Sequence, residues 1–322
     1  MAILPIPSGT RDILPDEMRE LSAIVDALKR VFGEAGYGEI TTPALEYEEV
    51  LSRANIGARP AYRVVDDHGA VLMLRSDMTV PIARVVATRY ATAEPPLRFG
   101  YVAPVYRTVR PHRGMAREFL QAGIELVGVP SAAGTAEALS VLCRGLEATG
   151  LREFRIGLGD AALFPRLLTE AGVEGEQRAR VLHELATGDF VGMERELGVL
   201  AIDDRQAELL LRIARLRGGP EVLEEFGDAI GDAAQGLLRL YDSLAPEVAR
   251  RLVLDLGLAR DLGYYTGAVF EVYDPGLGTP LGGGGRYDDL LGRFGRSLPA
   301  VGFALRIDDL HQALTARNGG GR

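Results

Sequence analysis

The chain has almost none of the residues that build disulfides or metal clusters. It contains one cysteine, Cys143, no tryptophan and four histidines among 322 residues. A lone cysteine excludes an internal disulfide and any all-cysteine metal site, and the histidines stand far apart without metal-ligand spacing. Cys143 lies in an apolar helical stretch, which favours a buried structural thiol. We therefore expect neither a metal site nor a cofactor.

The chain also lacks an excess of positive charge and any long apolar run. Its net charge is −9, which does not favour binding to a long RNA backbone, although an acidic protein can still carry a local basic patch. No uncharged apolar run approaches the ~20 residues that span a bilayer. The N-terminus is interrupted by prolines and has no signal-peptide pattern. These features predict a cytoplasmic protein that contacts no membrane.

Hydrophobic periodicity predicts a mixture of helices and strands. Apolar residues recur at helical spacing over 16–35, and Gly36 follows where a helix end favours glycine. Alternation around the turn Asp66–Gly69 predicts a hairpin over 62–75. Another helix is predicted at 135–148, with strands at 97–106, 119–127, 154–158 and within 251–273.

One long stretch differs from the rest in composition. From 166 to 250 leucine, alanine, glutamate and arginine dominate and the apolar period is helical throughout, which predicts an inserted helical subdomain. Residues 1–165 and 251–322 then form one core. A mostly antiparallel sheet with helices, interrupted once, is an α+β architecture.

Polar side chains on otherwise apolar strands indicate a pocket. Gln121 and Glu125 are four residues apart and share a face of a strand, as do Asp77 and Thr79 if that segment is extended. A later segment adds Arg260, Tyr264 and Tyr265. Acceptors for an ammonium, an arginine for a carboxylate, and glutamate with tyrosine for a polar side chain suit a zwitterionic amino acid.

Two further segments each allow two interpretations. Arginines crowd the stretch from Arg98 to Arg117 without an acidic residue, which is either an anion site or a solvated loop. The glycine tract Gly282–Gly285 lacks the Lys-Ser/Thr of a phosphate-binding loop. It either lets backbone approach a small ligand or a neighbouring strand, or forms a structural bulge, which we favour.

Five segments in order carry a family resemblance over about residues 5–315: SGTRDILPDE, LRSDMT, YRTVRPHRGMAREFLQAGIELVG, ARDLGYYTGAVFE and GGGGRYDDL. Together they resemble the core of histidyl-tRNA synthetase, a class II aminoacyl-tRNA synthetase. The resemblance implies a class II core, a mostly antiparallel sheet flanked by helices, with a helical insertion. Because only about a dozen residues follow the last matched helix, we expect no anticodon-binding domain. Asp77-Met-Thr79 and Tyr264-Tyr-Thr-Gly267 are more similar to the synthetase-like paralogues that serve as regulatory subunits of ATP phosphoribosyltransferase.

Carried over by position, the resemblance implies a nearly complete histidine-binding set. Asp77, Thr79 and Gln121 match the ammonium site. Glu125, Tyr264 and Tyr265 match the imidazole pocket. Arg260 matches the arginine that faces the carboxylate. Arg107, which survives from the ATP-binding set of the synthetases, is counted with the histidine-binding residues.

The ATP-binding set of the synthetases is broken at three positions. Val109 replaces a glutamate near adenine, Met115 an arginine near the phosphates, and Asp309 the arginine that holds the triphosphate. Arg306 stands where the synthetases have glycine. Losing two charge-assisted contacts costs on the order of 3–6 kcal/mol, and Asp309 would also repel phosphate.

The resemblance therefore implies a non-catalytic regulator of histidine biosynthesis. Its expected partner is the short-form catalytic subunit of ATP phosphoribosyltransferase, with L-histidine as feedback effector. A homodimer through the core, within a hetero-octamer and without tRNA, is the implied assembly. The alternatives are a compact histidine-activating ligase and a histidine-binding module without that partner.

Overall fold

The computed structural model describes residues 5–54, 61–108, 116–259 and 263–319. Its strands are β1 (Gly38–Glu39), β2 (Leu45–Tyr47), β3 (Arg63–Val65), β4 (Val71–Leu74), β5 (Leu97–Tyr106), β6 (Glu118–Val127), β7 (Arg155–Asp160), β8 (Arg217–Gly218), β9 (Leu252–Asp255), β10 (Ala268–Tyr273), β11 (Gly282–Arg286) and β12 (Ala300–Arg306). Its helices are α1 (Pro15–Glu34), α2 (Glu48–Arg53), α3 (Thr79–Thr88), α4 (Ser131–Ala148), α5 (Leu163–Glu170), α6 (Gly175–Thr187), α7 (Phe190–Gly198), α8 (Asp204–Arg215), α9 (Glu221–Glu225), α10 (Gly227–Asp242), α11 (Pro246–Ala249) and α12 (Ile307–Gly319), with a short 3-10 helix at Leu291–Phe294.

Within these residues most strands join one mixed sheet. Its order is β1–β5–β6–β12–β11–β10–β7–β9–β8, and a separate sheet has the order β2–β4–β3. The β1–β5 and β7–β9 pairs are parallel, and the other pairs of the large sheet are antiparallel. The predicted α+β architecture with a mostly antiparallel sheet is confirmed.

The register of the central strands decides which side chains meet. Glu125 on β6 lies opposite Phe99 on β5 and Gly302 on β12, while Gln121 lies opposite Ala103 and Arg306. Since side chains alternate along a strand, Gln121 and Glu125 share one face, as predicted. The other face turns Ile124 and Leu126 toward a core formed with α1 and α4.

The end of the first helix and the hairpin turn lie at the predicted positions. Helix α1 begins at Pro15, which suits a first helical turn because proline lacks an N–H, and Gly36 beyond its end has φ 82°. Strands β3 and β4 pair antiparallel around a turn with Gly69 at φ 83°. Helix α4 begins at Ser131, directly after Pro130 and earlier than the predicted 135.

The stretch between β7 and β9 is helical apart from β8, as its apolar period predicted. Its buried residues, such as Leu168 and Leu237, belong to the same apolar cluster as Leu142 of α4. The domain boundaries at 165/166 and 250/251 stay a prediction. Among the described residues no helix is long and apolar enough to cross a membrane.

The glycine tract forms a regular strand, so the predicted bulge is wrong. Strand β11 pairs with β10 on one side and β12 on the other. A Cβ at Gly284 would lie 2.1 Å from the carbonyl oxygen of Gly302, and one at Gly285 would lie 2.9 Å from the Tyr265 ring. The glycines therefore serve the other predicted role, the close approach of a neighbouring strand, here together with an aromatic ring.

Candidate ligand-binding site

A cavity of about 90 Å³ opens on the face of the central sheet opposite α1 and α4. Six of the predicted site residues line it: Asp77, Thr79, Arg107, Gln121, Tyr264 and Tyr265. Glu125 adjoins it through a hydrogen bond to Thr79. Arg260 lies outside the described residues. The structure thus brings seven of the eight residues together, while their role toward a ligand stays a prediction.

Asp77 and Thr79 meet for a different reason from the one predicted. They do not lie on a strand, because Thr79 is the first residue of α3. The Oδ1 atom of Asp77 accepts a hydrogen bond from the backbone N–H of Val80 at 3.2 Å. The carboxylate thus pairs with one of the N–H groups that the first turn of a helix leaves without a backbone partner. The helix start, rather than strand alternation, presents both side chains to the cavity.

Glu125 is the most deeply buried acid of the site, with 1% exposure. Its Oε1 accepts from the Thr79 hydroxyl at 2.7 Å, and its Oε2 accepts from the Tyr287 hydroxyl. Burial raises the pKa of Glu125 to about 8; the two hydrogen bonds act in the opposite direction, and the nearby charge of Asp77 adds a smaller increase. A carboxyl group with a pKa in this range ionises when a cationic ligand group binds beside it, and its negative charge then offsets that of the ligand.

Tyrosine rings form the walls around this acid. The Tyr264 ring lies 5.0 Å from that of Tyr265 and 5.8 Å from that of Tyr287, the latter in a T-shaped arrangement. Burial raises the pKa of Tyr101 and of Tyr287 well above the ordinary range, so both stay neutral phenols. An aromatic, hydroxyl-bearing wall beside a carboxyl suits a planar, polar side chain.

Tyr101 and Tyr287 are site residues that the sequence analysis missed. Tyr287 lies within the quoted GGGGRYDDL segment, so position in the motif could have identified it. Tyr101 alternates with apolar residues on β5, and its hydroxyl lies 2.6 Å from where a Cβ of Gly123 would be. Only the register with β6 reveals that contact.

Gln121 offers a buried acceptor to the cavity. The residue is 4% exposed, and among the described residues its Oε1 has no hydrogen-bond partner. Leaving such an atom unpaired costs ~1–3 kcal/mol, which a ligand donor would recover. Together with Asp77 and Glu125, it makes the cavity a set of acceptors suited to a cationic group.

The end of the cavity beside Arg107 has a different character. The guanidinium of Arg107 lies 5.1 Å from the centre of the Phe119 ring, and that of Arg306 lies 4.4 Å from it. Arg306 Nε is 3.0 Å from Asp309 Oδ2. Burial raises the pKa of Asp309, while Arg306 lowers it. Asp309 therefore faces an internal cation. Val109 and Met115 lie outside the described residues.

Comparison with known proteins places this geometry in a family. The histidyl-tRNA synthetase family profile matches residues 9–310. A Symbiobacterium thermophilum protein named ATP phosphoribosyltransferase regulatory subunit is 43% identical over 319 residues, spanning 96% of this chain and 79% of that protein. The chain belongs to this family of synthetase-like regulatory subunits.

Two crystal structures extend the similarity to the fold. One, from Bacillus halodurans, is described as an ATP phosphoribosyltransferase regulatory subunit/histidyl-tRNA synthetase; it is 34% identical with a TM-score of 0.89, covering 98% of this chain and 84% of that one. The other, a histidine–tRNA ligase subunit from Alicyclobacillus acidocaldarius, is 31% identical with a TM-score of 0.82 and 99% coverage of both chains. The family member described here has the class II aminoacyl-tRNA synthetase-like fold.

Proposed function

We propose that this chain is the non-catalytic regulatory subunit of ATP phosphoribosyltransferase, which joins ATP to phosphoribosyl pyrophosphate in the first step of histidine biosynthesis. The names of its relatives support the role. The observation that carries it is the contrast within one site. An acceptor-lined cavity is kept, while Asp309, at the position of the ATP-holding arginine, pairs internally with Arg306.

L-Histidine is the ligand that we propose for the cavity. Its ammonium would donate to Gln121 Oε1 and Asp77, and its imidazole would lie among the tyrosines beside Glu125. Both oxygens of Glu125 already accept one hydrogen bond, yet an ionised carboxylate has about four acceptor sites. Arg107, with Arg260, would face the ligand carboxylate.

The proposed complex contains a short-form catalytic subunit, a homodimer of this chain through its core, and a hetero-octameric assembly without tRNA in the cytoplasm. Histidine would inhibit by binding one state of the complex better than another. Coupling free energies of this kind are typically ~1–3 kcal/mol.

Reconstitution with a short catalytic subunit tests the proposal. We expect this chain alone to have no phosphoribosyltransferase activity, to raise the turnover of the catalytic subunit several-fold, and to make that turnover sensitive to histidine. Turnover that does not change while the two chains associate would contradict a regulatory role. Failure of the two to co-purify would favour a histidine-binding module without this partner.

The alternative is a compact histidine-activating ligase, which the names of the curated relatives do not favour. Histidine-dependent exchange of labelled pyrophosphate into ATP separates the two. We expect no exchange, because Asp309 puts negative charge where the synthetases hold the triphosphate. Exchange at a synthetase-like rate would establish the ligase.

A further inference from the structure

The ring of Phe119 is covered by two cationic side chains. Phe119 lies on β6 two residues from Gln121 and shares its face. Its ring contacts Arg107, which lines the cavity together with Gln121. The Arg107 and Arg306 guanidiniums lie 5.1 and 4.4 Å from its centre. Guanidiniums within about 6 Å of an aromatic ring are attracted to its face. The ring is left with 4% exposure.

Asp309 lies beside the guanidinium of Arg306. Arg306 ends β12 opposite Gln121, and Asp309 lies in the first turn of α12 just beyond it. Their 3.0 Å contact joins atoms on side chains that are 31% and 14% exposed. The pair spans the strand end and the helix start, so the Arg306 guanidinium has both the Phe119 ring and the Asp309 carboxylate as neighbours.

An uncovered aromatic ring beside a polar cavity is a stacking platform for a planar base, because every base has a π-face. We propose that Arg306 occupies this platform and excludes purine nucleotides from the cavity, so that an amino acid alone can bind. Arg306 is thus a specificity-determining residue that acts by covering Phe119. The inference rests on the proposed function only in treating the cavity as the histidine site.

Titration calorimetry with adenosine and with MgATP tests whether Arg306 blocks the Phe119 ring. Adenosine carries the base without phosphate charge, so it reports stacking separately from electrostatics. We expect no measurable heat with the wild type. The double variant Arg306→Gly/Asp309→Asn should bind adenosine at least about tenfold more tightly, the range for one base–aromatic stack. The single variant Arg306→Gly should do the same, which provides a second test should the double variant fold poorly.

Two control variants separate the cover from other effects. Asp309→Asn alone removes the negative charge but leaves Arg306 able to stay on the ring, so adenosine should still be excluded. Arg155→Gly removes an exposed arginine from β7 and should behave as the wild type.

The inference is overturned if the wild type binds adenosine as tightly as the double variant. It is also overturned if the Arg306 variants, folded by circular dichroism and still binding histidine, bind neither adenosine nor ATP. If Asp309→Asn binds adenosine as tightly as the double variant does, the proposal that Arg306 blocks the ring is likewise contradicted. Failure of the wild type to activate a catalytic subunit would contradict the proposed function but leave these adenosine results readable.

Discussion

The two ends of the cavity treat charge in opposite ways. At the deep end Glu125 accepts hydrogen bonds from the hydroxyls of Thr79 and Tyr287, the donors that the described part of the chain gives it, and burial raises its pKa to about 8. At the open end Asp309 lies 3.0 Å from the Arg306 guanidinium. Glu125 has no cationic neighbour among the described residues and could offset the charge of a cationic ligand, whereas Arg306 already offsets part of the charge of Asp309, whose pKa burial still raises. The acid at the deep end can therefore receive a cationic ligand group, whereas the acid beside the other end already faces a cation of the protein.

The largest effect on histidine binding is expected from Gly302→Ala, which adds a single methyl group beside Glu125. A Cβ at Gly302 would lie 1.8 Å from Glu125 Oε2 and 2.5 Å from the carbonyl oxygen of Ile124. The backbone atom cannot move aside, so Gly302→Ala should lower the free energy of unfolding by ~1–3 kcal/mol and displace Glu125. We expect histidine binding to fall below detection in calorimetry.

Gly198→Ala is the matched control for that change. Gly198 is the last residue of α7, and among the described residues no atom outside its chain neighbours and its own helix backbone lies within 4 Å of the position that its Cβ would take. Alanine there should be neutral or stabilising by up to ~1 kcal/mol. Unaltered histidine binding by a folded Gly302→Ala variant would show that Glu125 does not touch the ligand.

Removing the deep carboxyl itself should have the next largest effect. Glu125→Ala should weaken histidine binding about ten- to hundredfold, since losing a charge-assisted hydrogen bond costs ~1.5–3 kcal/mol. Histidine inhibition of the complex should be relieved in parallel, because one binding event drives both. Glu39→Ala, on the exposed strand β1, is the control. Inhibition persisting at wild-type histidine concentrations while cavity binding is lost would place the effector site elsewhere.

The deep end also shows what the sequence could and could not predict. Gln121 and Glu125 share a face because strand alternation is a local rule, and the rule held. Asp77 and Thr79 reached the cavity although their segment is not extended, because the chain turns into α3 at Thr79. A helix start opened by threonine before Val80-Pro81 competes with the extended interpretation, and only tertiary packing decides between them.

Residues joined by long-range register were the ones missed. Tyr101 packs against Gly123 of the neighbouring strand, and Tyr287 reaches Glu125 across 162 positions of sequence. Likewise the sequence showed that Asp309 and Arg306 depart from the synthetase pattern but not that they pair with each other over Phe119. Side-chain partners at such separations depend on the sheet order β6–β12–β11, which periodicity does not specify.

The buried Glu125 should also make the free energy of unfolding depend on pH. The pKa of Glu125 is about 8 in the folded protein against an ordinary value of 4.5. The folded state therefore binds more protons between these values, so this group's contribution is fully present below the lower pKa and is lost as pH rises toward the upper one. The slope is at most ~1.4 kcal/mol per pH unit. Urea unfolding of wild type and Glu125→Gln from pH 5 to 9 measures it; identical pH profiles would contradict the burial of this acid.

A smaller effect is expected when one donor to Glu125 is removed. Tyr287→Phe deletes a hydrogen bond that lowers the pKa of Glu125, so that pKa should rise further. Histidine affinity should fall about two- to tenfold, since one hydrogen bond contributes ~0.5–1.5 kcal/mol. Tyr90→Phe, whose ring packs on Phe99 away from the cavity, is the control. Equal affinities of Tyr287→Phe and wild type would mean that Thr79 alone positions the acid.

The smallest effect on histidine is expected at the open end. Arg306 is not among the residues that line the cavity, and Asp309 compensates its charge. Arg306→Ala should therefore change histidine affinity less than about threefold, since a partly exposed ion pair contributes ~0–1 kcal/mol. The pKa of Asp309 should rise, because Arg306 lowers it. Calorimetry with histidine measures the first effect. A loss in affinity as large as that of Glu125→Ala would show that Arg306 reaches the ligand, and the two ends would then act as one site.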